Sequence, residues 1–157
     1  MPETQNIYQK LAEARRIIRT TLQDVSDEGK KTKAGENEYS KYSYFKPEDV
    51  ERWVTEACEQ TGLITLTSLL HDEHGLYQQL QLLDVKSPQE ILTFTLRTEK
   101  GSLKAANETQ NMGATQTYSK RYLLMATFNI AEPNLDPDKH MGEVKKSTAQ
   151  DAKSLEL

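Results

Sequence analysis

The longest helical pattern in the chain runs from residue 107 to residue 128 and has two unequal halves. One side of the predicted helix carries Ala114, Tyr118, Tyr122 and Met125, at spacings of four, four and three. Another side carries the polar positions Gln110, Gly113, Thr117, Lys120 and Arg121. After Arg121 the polar stripe gives way to Leu124 and Phe128, so we expect the second half to lie in a core.

Two helices are predicted before this one. Residues 6–25 carry a single apolar stripe with the period of a helix, formed by Ile7, Leu11, Ala14, Ile18 and Leu22. The next helix is expected to begin at Pro47 and to end at Gly62, because proline suits the first helical turn and glycine commonly follows the last one. Asn107 is expected to cap the long helix together with Gln110.

Three strand-like runs, residues 63–70, 76–84 and 91–97, lie between the second and third helices. The last run alternates, which places Leu92, Phe94 and Leu96 on one face and Thr93, Thr95 and Arg97 on the other. The predicted fold class is therefore α+β, with N-terminal helices, an antiparallel sheet and a β-β-β-α order at its centre. We expect residues 1–130 to form one domain. Residues 131–157 are polar and contain two prolines, and we expect a flexible, disordered tail there.

Charge weighs against binding to nucleic acid through bulk electrostatics, because the net charge is −4. Two segments nevertheless form local basic regions: residues 29–46 and residues 97–121 each carry five basic and two acidic residues. A single cysteine excludes a disulfide framework, and no apolar run approaches the length of a membrane span. We expect a cytoplasmic protein with no membrane partner.

The segment before Pro47 combines lysines with aromatic residues. A stretch rich in glycine and lysine leads into an extended strip that contains Lys41, Tyr42 and Tyr44. Such a strip can stack bases on its rings while lysines contact phosphates. The alternative is that these rings are ordinary edge-strand or core side chains.

Catalytic motifs do not occur in the sequence: there is no nucleophile elbow, no zinc-protease motif and no glycine-rich nucleotide turn. His71 and His74 flank two acids in a predicted hairpin turn, which is more typical of a solvated tip than of a metal site. Asp136 and Asp138 keep a metal-dependent nuclease open as the weakest alternative. We expect no cofactor, no metal and no enzymatic activity.

A family resemblance follows from the long helix. Gln110-x-x-Gly113, then Thr117-Tyr118-x-Lys120-Arg121-Tyr122-Leu123, and the downstream Asp136-Pro-Asp138 resemble the signature of the ERF (essential recombination function) family of phage and prophage single-strand annealing proteins. The likeness extends over most of residues 6–138, and related annealing proteins share a β-β-β-α core.

The resemblance implies ATP-independent binding and annealing of single-stranded DNA by a homo-oligomeric ring or filament in the cytoplasm of a bacterial host. It also allows a host single-strand-binding protein or a phage exonuclease as a further partner. A passive single-strand-binding or interaction module, which protects DNA without pairing it, remains the main alternative.

Annealing requires contacts that hold a strand by its phosphates without reading its sequence. The predicted phosphate contacts are Lys120, Arg121, Arg97, Lys100 and Lys104. Gly113 is expected to leave a shallow spot where a DNA backbone can approach, and Gln110 and Thr117 to hydrogen-bond phosphate or sugar there. The alternatives are that Gln110 serves only as a cap and that Arg121 pairs with an acid of the second helix. Tyr118 and Tyr122 share a stripe with Ala114 and Met125, so we expect them in the core rather than as stacking platforms.

Overall fold

The computed structural model of the protein describes residues 3–27, 35–36 and 43–132. The elements, in chain order, are helix α1 (Ile7–Asp27), strands β1 (Gly35–Glu36) and β2 (Ser43–Tyr44), helix α2 (Pro47–Thr61), strands β3 (Leu63–Asp72), β4 (Gly75–Asp84) and β5 (Ser87–Arg97), and helix α3 (Glu108–Phe128). The α+β prediction with its β-β-β-α order is confirmed. The tail predicted from residue 131 lies, from residue 133 onward, outside the described residues.

The helix boundaries follow from local chemistry. Pro47 occupies the start of α2, and the helix ends at Gly62, whose left-handed backbone (φ 72°) lets its N–H reach the carbonyl of Cys58. At the start of α3, the N–H of Gln110 donates to Asn107 Oδ1 at 2.8 Å, and the N–H of Asn107 donates to Gln110 Oε1 at 2.9 Å. The predicted cap of α3 is therefore a complete capping box.

The main sheet has the order β3-β4-β5, and all its pairs are antiparallel. The β3–β4 hairpin turns between Asp72 and Gly75, two residues beyond the predicted end of β3. Strand β5 begins at Ser87 rather than at Ile91, and an irregularity between Leu83 and Asp84 accompanies its start. Residues 87–90 contain a proline and no apolar residue, so alternation could not reveal them as strand.

The core lies between one face of this sheet and the three long helices. Leu80 and Leu82 of β4 are completely buried, and Phe128 of α3 is 1% exposed. The predicted inward face of β5, Leu92, Phe94 and Leu96, packs against this core. The lone thiol, Cys58, is free and buried, and burial raises its pKa to about 12.

A buried ion pair ties the start of α1 to the end of β4. Lys10 Nζ lies 2.7 Å from both carboxylate oxygens of Asp84, and the two side chains are 9% and 5% exposed. Asp84 also accepts a hydrogen bond from the N–H of Lys86 at 2.9 Å. The hydrogen bond from Lys10, reinforced by that from Lys86, lowers the pKa of Asp84.

Stability should therefore depend on the ionised form of Asp84. Because the pKa of Asp84 is lower in the folded state than in the unfolded chain, its ionised carboxylate stabilises the fold at pH values above the unfolded-state pKa of Asp84. This stabilisation disappears as the pH falls through the folded-state pKa. Asp84→Asn should lower the urea midpoint at pH 7, and the difference from the wild type should shrink below about pH 4. Urea titrations across pH measure this. Glu73→Gln, which removes the same charge at the exposed hairpin tip, is the matched control; an equal effect of both substitutions would contradict the role of the ion pair.

Candidate nucleic-acid interface

A crevice of about 320 Å³ lies where the first half of α3 passes the N-terminus of α2. The residues that line it come only from these two helices: Pro47, Glu51, Gly113, Gln116, Thr117, Lys120, Arg121 and Leu124. The structure thus brings Gly113, Thr117 and Lys120 together, as their helical spacing predicted.

The side chain of Lys120 forms the polar rim of this crevice. Its Nζ lies 2.7 Å from Glu51 Oε1, and the two side chains are 28% and 56% exposed. Ion pairs with this degree of exposure contribute little to stability. Lys120 can therefore exchange Glu51 for another anion at small energetic cost.

Gly113 and Thr117 form the crevice floor next to Lys120. A Cβ at Gly113 would meet no atom within 4 Å, so internal packing does not require glycine there. Thr117 Oγ1 donates to the carbonyl of Gly113 at 2.9 Å, which leaves the exposed hydroxyl oxygen able to accept. The floor is open and polar at this point.

Arg121, in contrast, belongs to the interior. It is 3% exposed, forms an ion pair with Glu132, whose side chain is 1% exposed, and donates to the carbonyl of Phe45 at 3.1 Å. The expectation of a solvent-facing Arg121 is wrong, and its acidic partner Glu132 follows α3, whereas Lys120 pairs with Glu51 of α2. The physical reason is that the chain after Ile130, expected to be a flexible tail, brings Glu132 to the guanidinium.

Arg97 lies on a different surface, the sheet face turned away from the helices. Its guanidinium donates to both carboxylate oxygens of Asp72, at 2.6 and 2.5 Å, and its carbon lies 5.1 Å from the ring centre of Tyr77. This hydrogen bonding lowers the pKa of Asp72 to about 2. The structure therefore does not bring Arg97 to the crevice.

Lys100 and Lys104 lie on the linker between β5 and α3, on another flank of α3. The linker is held by Thr115 Oγ1, which accepts from the N–H of Gly101 at 2.8 Å, and by Asn111 Oδ1, which accepts from the N–H of Leu103 at 2.9 Å. Positions two residues apart on a helix differ by about 160° around its axis, so Asn111 and Thr115 face away from Gly113 and Thr117. Lys100 pairs with Glu108, and Lys104 is exposed.

The remaining predicted contacts have mixed outcomes. Gln110 is exposed but takes part in the capping box, as the alternative interpretation proposed. Lys41 and Tyr42 lie outside the described residues. Tyr44 lies in β2, but its side chain is outside the described part of the structure.

Tyr118 and Tyr122, which the helical stripe assigned to the core, are 49% and 45% exposed. That assignment is wrong because this flank of α3 becomes buried only farther along, at Met125. The stripe identified the correct side of the helix but not the point at which the core begins. Both tyrosines are therefore surface residues on the half of α3 that borders the crevice.

The sheet face opposite the helices carries several exposed apolar residues. Ile64, Leu66 and Ile91 are each 45–49% exposed, and β-pairing places Leu83 between Ile64 and Ile91. No helix of the described part of the chain covers this face, which we term the open sheet face. Alternation in β5 predicted its polar side chains, but the apolar ones on β3 were not anticipated.

Comparison with protein families supplies the decisive observation. A family model described as the ERF superfamily matches residues 7–156. The chain belongs to the ERF superfamily. The search of curated proteins gave no match. The search of solved structures likewise gave no match.

Membership in the ERF superfamily confirms the resemblance and suggests a part in phage-type recombination by single-strand annealing. In this ERF chain the signature residues divide by location. Gly113, Thr117 and Lys120 line the crevice, Tyr118 and Tyr122 are exposed, and Arg121 and Leu123 are buried. Part of the signature therefore maintains the fold.

Two further findings concern the described residues, 3–27, 35–36 and 43–132. They contain no group of three or more histidine, cysteine or acidic side chains that could hold a metal ion. Asp136 and Asp138 lie outside them. No helix among them has both the length and the apolar character of a membrane span.

Removing the charge of Arg121 should destabilise this ERF chain much more than removing the charge of the adjacent Lys120. Arg121→Met should lower the free energy of unfolding by about 3–5 kcal/mol, since it leaves Glu132 buried without its partner. Lys120→Met should change it by less than about 1 kcal/mol. Chemical denaturation followed by circular dichroism measures both. The double variant Arg121→Met/Glu132→Leu should recover most of the loss, and similar stabilities for the two single variants would contradict this structural role of Arg121.

Proposed function

We propose that this protein binds single-stranded DNA and anneals complementary strands without ATP in phage-type homologous recombination. The observation that carries the proposal is the ERF family match over residues 7–156. The geometry supports it, because the exposed half of the signature helix borders an open polar crevice. We further propose that residues 1–130 form the annealing domain.

The crevice suits contacts that depend on charge and not on base identity. Lys120 supplies a cation and Gln116 an amide N–H donor beside the open position at Gly113, whereas the Thr117 hydroxyl already donates to the Gly113 carbonyl. Phosphate contacts of this kind position a strand without reading its sequence. An annealing protein needs this property, because the base edges must remain free to find their complement.

Glu51 gives the crevice a built-in competitor for phosphate. Its carboxylate already pairs with Lys120 at 2.7 Å, so phosphate must displace an anion of the protein itself. The net gain per contact is then small, and the contact reverses easily. Easy reversal suits a protein that must release the duplex once pairing is complete.

Weak contacts in one protomer require multivalency to hold a long strand, since linking sites raises avidity by orders of magnitude. We therefore propose that the protein acts as a homo-oligomer, a ring or a filament. The open sheet face supports this, because contiguous exposed apolar residues commonly mark protein interaction surfaces. Its apolar end is formed by Ile64, Leu66, Leu83 and Ile91.

The test mixes two complementary oligonucleotides with the protein, without ATP, with and without magnesium, across a range of salt. Faster duplex formation is the expected result. Slower duplex formation would identify a passive binder, and shortened strands would identify a nuclease. Affinity that does not change with salt would contradict the phosphate contacts, because counterions released on binding make such affinity fall with salt.

Lys120→Gln should weaken binding about equally for all sequences, slow annealing, and reduce the salt slope by about 0.7 per protomer. The matched control is Lys86→Gln, which removes the same charge from the exposed β4–β5 turn. That turn lies at the other end of α2, where the N–H of Val85 donates to the carbonyl of Gly62. Equal salt slopes for the two variants would remove the crevice from the DNA site.

Ile64→Glu should break the proposed assembly without unfolding the protomer, because Ile64 is 48% exposed. Native mass spectrometry should show a shift towards monomer. Affinity for long strands should fall by about 100-fold or more, while affinity for a short oligonucleotide stays unchanged. Ser68→Glu, on the same strand and the same face but outside the apolar end, is the control. An unchanged oligomer in Ile64→Glu would contradict this interface.

A further inference from the structure

Helix α3 exposes two tyrosines that do not line the crevice. Tyr118 and Tyr122 are 49% and 45% exposed. They are one helical turn apart, a spacing that places their Cβ atoms about 5–6 Å from each other on one flank. We term this pair the tyrosine ridge. Both rings therefore present aromatic surface to solvent on the same flank of the helix.

The ring of Tyr122 is supported from within. The guanidinium carbon of Arg121 lies 4.3 Å from its ring centre, in the geometry of a cation–π interaction. Arg121 is itself fixed, because it is buried and paired with Glu132. The ring is therefore held against an immobile cation, so that placing a ligand on the ring costs little side-chain entropy.

Cations lie on the same flank of α3 as the ridge. Asn111 holds the linker through the N–H of Leu103, and Tyr118 lies seven residues farther along the helix. Seven residues make almost two complete turns, so the two side chains share a flank about 10 Å apart along the axis. The linker carries Lys100 and Lys104, both exposed; Lys100 pairs with the exposed Glu108, and within the described residues no ion pair involves Lys104.

We propose that the tyrosine ridge stacks bases of the bound single strand while Lys100 and Lys104 contact its phosphates. Aromatic side chains next to cations are the general means by which proteins hold single strands without reading their sequence. This inference rests on the proposed binding of single-stranded DNA, and it assigns base contact to α3 instead of to the strip at Tyr42 and Tyr44.

Stacking on this ridge is compatible with annealing for a chemical reason. A base that stacks on a tyrosine is held by its π face, and its Watson–Crick edge stays free of protein hydrogen bonds. A complementary strand can therefore pair with a base that is still bound. Hydrogen-bond readout of the base edges would block the same step.

The experiment compares an ordinary oligonucleotide with an abasic one of equal length, which keeps the sugar–phosphate backbone and lacks the bases. Tyr118→Ala and Tyr122→Ala should each weaken binding of the ordinary strand by about 5- to 150-fold, the range of one base–aromatic stack. Binding of the abasic strand should stay unchanged. Tyr118→Phe and Tyr122→Phe should bind both strands like the wild type, because they keep the ring.

The control is Tyr8→Ala on α1, since Tyr8 is 67% exposed and lies on a different helix. Its affinity for both strands should equal that of the wild type. Equal losses on the ordinary and the abasic strand in the ridge variants would overturn the proposal, and so would unchanged binding of both. A loss of folding in Tyr122→Ala does not interfere, because Tyr118→Ala gives the same comparison on the other ring of the ridge.

The test of the tyrosine ridge and the test of annealing can fail independently of each other. If the wild type anneals strands but the ridge variants bind normally, the ridge is wrong and annealing stands. If the ridge variants lose base-dependent binding but the wild type does not speed duplex formation, the ridge stands and annealing is wrong.

Discussion

The buried contact between Arg121 and Glu132 uses side chains to connect three parts of the chain that no sheet hydrogen bonds join. Arg121 belongs to α3, Glu132 follows that helix, and both bind the backbone of Phe45, whose carbonyl accepts from Arg121 and whose N–H donates to Glu132 at 2.9 Å. Phe45 in turn packs edge-on against Trp53 of α2, with ring centres 5.1 Å apart. The contact adds to the apolar core that packs α2 against α3, and it lies beside the crevice, which Arg121 also lines.

The second constraint is that three helices cover only one face of a three-stranded sheet. Strands β3 and β5 are both edges within the described part of the chain, and an edge strand leaves alternate backbone groups without a partner in the sheet. The same arrangement leaves Ile64 and Ile91 exposed on the open sheet face. The architecture therefore separates two surfaces: the crevice and the tyrosine ridge on α3, and the open sheet face.

Sequence patterns predicted much of the fold, because its signals are local. Alternation in β5, the proline and glycine that bound α2, and the reciprocal cap at Asn107 all act within a few residues. The side of β3 that faces the core was harder to predict. Leu63, Ile64, Leu66, Leu69 and Leu70 place apolar side chains on both of its faces, and only the packed helices decide which face is covered.

The candidate site was predictable only where neighbouring residues form it. Helical spacing correctly grouped Gly113, Thr117 and Lys120. It failed for Arg121, because Glu132 comes from a polar stretch with no pattern of its own. It failed for Tyr118 and Tyr122 because a helical wheel shows the direction of a side chain and not how far along the helix the core extends.

Helix α3 has one further consequence, which concerns its local stability. Its C-terminal half is anchored by Leu124 and Phe128, whereas its N-terminal half depends on the capping box and on the two hydrogen bonds to the linker. Free energies of local opening follow the amount of buried apolar contact, so they should rise along this single helix from Glu108 to Phe128. A DNA strand bound to the first half would raise the free energy of local opening there. Arg121 lies at the boundary between that half and the half that packs in the core.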